Sequence, residues 1–231
     1  MKTALAIDSS SETTFVALRE RSGNILEASA PCKQGGSHSE VLSALVERLL
    51  EQADLEVREI QYLAYGMGPG SFTGLRIGLS YIQGLNFISR QPVCGACSLA
   101  ACAYEFAESS KHIVSAARSG RDTVYMALFE GHAEGAITEL IPPIVLKHDQ
   151  ILETVKERNF KEKESVWIGN GTQLPGVVKW ISPQHVARSV LLLANSNLRT
   201  AISIEELSQL ALKYVAPINA KTIAERQSNI Y

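Results

Sequence analysis

Two stretches of this 231-residue chain carry residue types that do chemistry. The first is Asp8-Ser9-Ser10, which closes the apolar run Ala4-Leu-Ala-Ile7. A carboxylate at the mouth of a strand, followed by hydroxyls, is one way to hold a metal-bound phosphate. It is equally the composition of a polar hairpin tip, and one carboxylate leaves both readings open. The second stretch is Gly66-Met-Gly-Pro-Gly-Ser-Phe-Thr-Gly-Leu-Arg-Ile-Gly-Leu-Ser80. Gly70, Gly74 and Gly78 recur every four residues, just over one helical turn, so a helix from Ser71 carries glycines down one side. Each costs about 1 kcal/mol relative to alanine, which makes sense where another backbone, a ligand or a partner helix approaches closely.

Known phosphate and nucleophile motifs do not fit this stretch. A nucleoside-triphosphate loop needs a lysine after its second glycine, where Leu75 stands. Thr73 occupies the third glycine's place of a dinucleotide fingerprint. Ser71 is flanked at two residues by Pro69 and Thr73, not by the glycines of a nucleophile elbow. The free amides of a helix start can still hold an anion. Cys94-Gly-Ala-Cys97 has redox or zinc spacing, but there is no second pair, Cys102 lies five residues on and Cys32 is far off. Small buried residues at a strand end and helix start are the favoured reading.

The elements that position these residues follow from hydrophobic period and punctuation. Ala4–Ile7 and Thr14–Leu18 read as strands around a polar turn, and Ser22-Gly23-Asn24 leads into a third at Ile25–Ala28. Gly35-Gly36 precede Ser37-His38-Ser39-Glu40, a capping box, after which Val41, Leu42, Leu45, Val46, Leu49, Leu50 and Ala53 form a broad apolar stripe. Ile60–Tyr65 reads as a strand, the glycine helix runs to about Ser89, Pro92 and Gly95 bracket a short strand, and Ser98–Ala107 reads as a helix. Ile113–Ala116, Val124–Phe129 and Val166–Ile168 are further strands, the last ending at Gly169-Asn-Gly171. Helices follow at Lys147–Arg158, Pro183–Asn195 and Ile204–Leu212, with Lys161–Glu164 a solvated charge run and no internal repeat evident. The order implies an α/β chain with antiparallel hairpins beside parallel strands.

Composition narrows the function classes. Apolar content of 45% and charged content of 20% are those of a soluble globule. A net charge of −2 argues against a nucleic-acid surface of its own. No apolar run approaches the ~18 residues of a membrane span, and Asp8 arrives too soon for a signal peptide. The expectation is a cytoplasmic protein with reduced cysteines.

Leu5-Ala-Ile-Asp8-Ser-Ser10, His38-Ser39-Glu40 at the head of a leucine helix, and above all Gly68-Pro-Gly-Ser-Phe-Thr-Gly-Leu-Arg-Ile-Gly78 resemble the TsaB (YeaZ) family through about Leu99. Its members are non-catalytic partners in making threonylcarbamoyladenosine at position 37 of transfer RNA. The resemblance implies an actin/Hsp70-like (ASKHA) fold of two ribonuclease-H-like subdomains, placed at residues 1–108 and 109–231, the last helix packing back on the first subdomain. It implies a heterodimer with the paralogous catalytic subunit TsaD, a TsaE-like ATPase as second partner, transfer RNA contacted only indirectly, a homodimer when alone, and neither cofactor nor metal. Docking falls to His38, Leu42, Leu45 and Leu49 of the first helix and to Gly70, Ser71, Thr73, Gly74, Arg76, Ile77, Gly78 and Tyr81 of the second. On that reading Gly74→Leu or Gly78→Leu abolishes pairing and leaves the monomer folded. Asp8, Ser9 and Ser10 become a vestigial nucleotide site.

The paralogue holds metal through two histidines four residues apart on one helix. Here Leu42 stands four residues after His38, and His112, His132, His148 and His185 have no such partner. The chain departs from the family at Ala116-Ala117-Arg118, where an acid is usual, in the longer turn Ser119–Thr123, and at Tyr214-Val-Ala-Pro217, where Ala216 replaces an arginine. These changes bear on an anion site between the subdomains. The alternative is an actin-like ATP-dependent phosphotransferase or ATPase using Asp8, which needs several carboxylates and lacks one at Ala116. A protease role has no nucleophile–base pair evident in the sequence.

Overall fold

The computed structural model describes residues 1–32, 38–158, 160, 165–170, 180–194 and 199–202. The expected cap at Ser37 with Gly35-Gly36, the Lys161–Glu164 run, the helix at Ile204–Leu212 and the Tyr214–Pro217 segment lie outside these residues.

Period-two alternation in the first 31 residues folds them into a meander of β1 (Ala4–Asp8), β2 (Thr13–Arg19) and β3 (Ile25–Pro31). Helix α1 (His38–Gln52) leads to β4 (Leu63–Gly66), α2 (Phe72–Ser89) to β5 (Val93–Ala96), and α3 (Ser98–Tyr104) leaves that sheet. The expected strand at Ile60–Tyr65 begins later, at Leu63, because residues 57–59 form a 3-10 turn and Ile60 is its buried exit. The second half repeats the plan with β6 (His112–Arg118), β7 (Thr123–Gly131), β8 (Ile137–Lys147), α4 (Ile151–Glu157), β9 (Ser165–Asn170), β10 (Trp180–Ile181), α5 (Val186–Leu193) and β11 (Arg199–Ile202).

The sheets run β11-β5-β4-β1-β2-β3 and β10-β9-β6-β7-β8. In both, three antiparallel strands are followed by two parallel additions, so the order 3-2-1-4-5 of one half recurs in the other. This is the ribonuclease-H-like duplication, repeated in topology though not in sequence. Strand β11 and helix α5 come from the second half of the chain yet add to the first sheet: β11 pairs antiparallel with β5, and α5 packs on β1, β2 and β4.

Strand alternation decides which layer each side chain enters. Leu5, Ile7, Val16, Leu18, Leu63 and Tyr65 pack under α1 and α2 on one face of the first sheet. Ala4, Ala6, Ala17, Ala64 and Ala96 face inward, and their small size admits α3 and α5 between the two sheets, where Ile113, Tyr125, Phe129 and Ile168 close the far side. The outer face of the second sheet packs Val114, Met126, Leu128 and Trp167 against α4. Strand β8 has no counterpart in the expected elements because Pro142-Pro143 interrupt its pattern. The register with β7 jumps there, between Met126↔Ile144 and Leu128↔Ile141, and an edge strand tolerates prolines that a central one would not. Among the described residues no helix is long and apolar enough to cross a membrane.

Candidate functional site

Asp8 ends β1 on the inward face and is 0% exposed. Its Oδ1 accepts the Ser10 amide at 3.0 Å and the Ser10 hydroxyl at 2.7 Å, and its Oδ2 accepts the Ser98 hydroxyl at 2.6 Å. Ser98 opens α3, and its Oγ in turn accepts the Gly68 amide at 3.0 Å. Asn170, at the end of β9, donates its side-chain amide to Ser10 Oγ at 3.2 Å. A Cβ on Gly66 would collide with the carboxylate, so β4 must carry glycine there. The result is a clasp in which both carboxylate oxygens are occupied by donors from the chain itself, three of them charge-assisted, and one of the bonded serines ties the first sheet to the second. A metal-bound phosphate needs a carboxylate oxygen facing outward; these two face protein. Ala116 is 0% exposed and offers a methyl where a second acid would stand. Among the described residues no group of three or more His, Cys, Asp or Glu is placed to hold a metal.

The glycine stripe faces the same turn. Ser9 Oγ donates to the Gly74 carbonyl at 2.8 Å, and the Ser71 amide donates to the Ser10 carbonyl at 2.6 Å. A Cβ on Gly70 would strike the Ser10 carbonyl, one on Gly74 the Ser9 carbonyl, and one on Gly78 the Ser9 hydroxyl. The close approach expected of this helix is therefore to the β1–β2 turn of its own chain, which corrects the assignment of Gly70, Gly74 and Gly78 to a partner. Ser71 is also occupied internally, capping α2 through its Oγ, which accepts the Gly74 amide at 3.2 Å. Gly68 lies in the left-handed region at φ +84°, and a Cβ there would meet Leu75 at 2.7 Å.

Leu42, Leu45 and Leu49 are corrected likewise. They are buried in the layer between α1 and the first sheet, so their apolar stripe covers the chain's own core. His38 is half-buried at the start of α1, with Nδ1 3.1 Å from Thr14 Oγ1 and 3.0 Å from Cys32 Sγ. Burial holds its imidazole below the ordinary histidine range. The sequence shows no nucleophile–base pair; in the fold Cys32 and His38 come into contact because β3 ends beside the residue that opens α1. Cys94 and Cys102 are buried, and burial pushes the Cys97 thiol up to about 11.

What the two helices leave open is one side of α2. Thr73 and Arg76 are exposed, the Arg76 guanidinium resting 4.6 Å over the Phe72 ring. Ile77 and Tyr81 are half-buried, and burial raises the Tyr81 phenol. Beyond them Ser80 and Gly84 are exposed, nothing lies within 4 Å of a Cβ built on Gly84, and Phe87 and Ile88 are 81% and 67% exposed. Thr73, Arg76, Ser80, Gly84 and Phe87 follow one another at three- and four-residue steps along one stripe. Sequence reasoning missed Gly84, Phe87 and Ile88; the available signal was that Phe87 stands about half a turn, and Gly84 about a quarter to a third of a turn, from Gly74 and Gly78.

A family model described as "TsaD: tRNA N6-adenosine threonylcarbamoyltransferase" matches residues 30–225. The chain is 32% identical over 127 residues to the tRNA threonylcarbamoyladenosine biosynthesis protein TsaB of Haemophilus influenzae, covering 54% of this chain and 52% of that one, so it spans about half the length of this relative. It is 29% identical to the Escherichia coli TsaB over 171 residues, covering 73% and 71%. The structure of YeaZ from Pseudomonas aeruginosa superposes with a TM-score of 0.69 at 24% identity, covering 90% of this chain and 98% of that one, a likeness of fold.

Proposed function

The chain belongs to the tRNA N6-adenosine threonylcarbamoyltransferase family, within it to the TsaB (YeaZ) group, and on that premise we propose that it is a non-catalytic subunit that docks a TsaD-like catalytic subunit for threonylcarbamoylation of tRNA adenosine 37. The exposed side of α2 is the observation that carries this reading. It presents Phe72, Phe87 and Ile88 to solvent beside the small residues Thr73, Ser80 and Gly84. That pairing of anchors with a smooth track suits a second helix lying close. Arg76, Ile77 and Tyr81 border the same track, whereas the three inward glycines hold it to the body of the protein. The closed Asp8 clasp supports the non-catalytic part of the reading and weighs against the ATPase alternative. A TsaE-like ATPase is the second partner on this reading, transfer RNA is reached through the catalytic subunit, and the same apolar side pairs two copies when that subunit is absent.

The test is reconstitution. Unmodified transfer RNA, threonine, bicarbonate, ATP and the other pathway proteins are combined with and without this chain. Product that depends on the chain, with none from the chain alone, is the expected result; equal product without it overturns the assignment. Calorimetry with magnesium-ATP addresses the alternative, for which micromolar binding lost in Asp8→Ala is the required outcome.

A further inference from the structure

We propose that Cys32 is a reactive thiol served by His38 as its base, and that a small hydroperoxide converts it to a sulfenic acid. The pair is built by backbone that is independently fixed. The Cys32 amide donates to the Glu12 carbonyl at 2.7 Å, which holds the end of β3 beside the start of β2. His38 is the first residue of α1. Between them Thr14, 0% exposed on β2, places its hydroxyl oxygen 3.1 Å from His38 Nδ1 and 3.5 Å from Cys32 Sγ, closing a triangle whose third side is the 3.0 Å contact of Sγ with Nδ1.

Three features make this triangle a site for chemistry. First, the partner of the sulfur is a ring nitrogen, the group that takes a thiol proton during nucleophilic attack. Second, burial holds the imidazole below the ordinary histidine range and so favours its neutral form, whose Nε2–H tautomer leaves Nδ1 as the acceptor facing Sγ. Third, Cys32 and His38 are both half-buried and so open to a small reagent, whereas Cys94 and Cys102 are buried and the Cys97 thiol is pushed up to about 11 by burial. Burial pushes the Cys102 thiol well above its ordinary range as well. The step balances with the hydroperoxide as oxidant. Sγ attacks the terminal oxygen, the O–O bond breaks, and the thiol proton passes through Nδ1 to the departing alkoxide (hydroxide where the reagent is hydrogen peroxide), giving Cys–SOH and an alcohol or water. Sulfur is oxidised by two electrons and the peroxide reduced by two. The proposal stands independently of the docking face on α2.

The experiment uses the full, reduced chain with hydrogen peroxide and dimedone, reading adducts per cysteine by mass spectrometry, alongside the rate of Cys32 alkylation by iodoacetamide. Cys32 is expected to form the adduct at least about ten-fold faster than free glutathione and than each of the other three cysteines, and His38→Gln is expected to slow both reactions about ten-fold. Circular dichroism checks that the variant is folded. Reaction at the glutathione rate overturns the proposal, as does an unchanged rate in folded His38→Gln. Should that variant fail to fold, the comparison of the native chain with glutathione decides alone.

Discussion

Ser9 and Gly74 are bonded across the first turn: the serine hydroxyl donates to the glycine carbonyl at 2.8 Å, and no room remains between the Gly74 α-carbon and the Ser9 carbonyl for a methyl group. Helix α2 is thus seated on the strand ends that carry Asp8. Gly74→Ala is expected to lose about 3 kcal/mol of stability, through overpacking against backbone that cannot move aside. Gly84→Ala, in the same helix but facing open space, is expected to gain about 1 kcal/mol. Urea unfolding of the two single variants checks both signs, and equal effects would remove the distinction between the inward and outward glycines. The corresponding Gly74→Leu and Gly78→Leu variants test folding, not docking.

The clasp around Asp8 makes a second prediction. Asp8→Ala removes one carboxylate and leaves the Ser10 amide, the Ser10 hydroxyl and the Ser98 hydroxyl without their acceptor in a buried site. Donors left unsatisfied there cost about 1–3 kcal/mol each, so a loss of about 3 kcal/mol or more is expected. Ser98→Ala, which removes a single donor and the acceptor of the Gly68 amide, should lose less. Thermal unfolding orders the two; a destabilisation by Asp8→Ala of under about 1 kcal/mol would mean that the carboxylate is kept for something other than the fold.

Most of the first half was legible in the sequence because its strands alternate cleanly and its helices have visible breaks. Ala4–Asp8 and the Ser71-capped helix sit where the pattern places them. Strand β8 was not legible, since Pro142-Pro143 break the alternation that would announce it and only an edge position rescues it. The site was read in kind but not in direction. An apolar stripe on Leu42, Leu45 and Leu49 says that something covers it, without saying whether that is the chain's own sheet or another protein, and burial answers for the sheet. The same ambiguity holds for the glycine stripe. Asn170 and Cys32 carried no local signal at all, because their partners Ser10 and His38 are brought to them by sheet order and by the entry of α1.

The burial of His38 has a pH consequence. Its folded-state pKa lies below the ordinary 6.5 because burial disfavours the imidazolium, so the unfolded chain takes up this proton first as the pH falls. The favourable contribution of a neutral, buried His38 is therefore intact above about pH 7 and is lost progressively below about 6.5. His38→Gln is expected to unfold at lower urea than the native chain at pH 7.5 and to close that gap at pH 5.5. Parallel midpoints at the two pH values would show that His38 titrates alike in both states.

The open side of α2 yields the prediction that bears most directly on function. Phe87→Asp replaces an 81% exposed ring with a charge. Gly84→Leu places bulk where the monomer has open space. Neither is expected to lower the unfolding midpoint of the chain alone. Both are expected to weaken association with the catalytic subunit by at least about 2 kcal/mol, roughly thirty-fold in Kd, as loss of a central anchor or of close helix approach does. Sedimentation or calorimetry with the purified subunit reads this directly. Affinity unchanged in both folded variants would move docking off this side of α2 and onto the polar outer face of α1, where Glu40, Glu47, Arg48 and Glu51 are exposed.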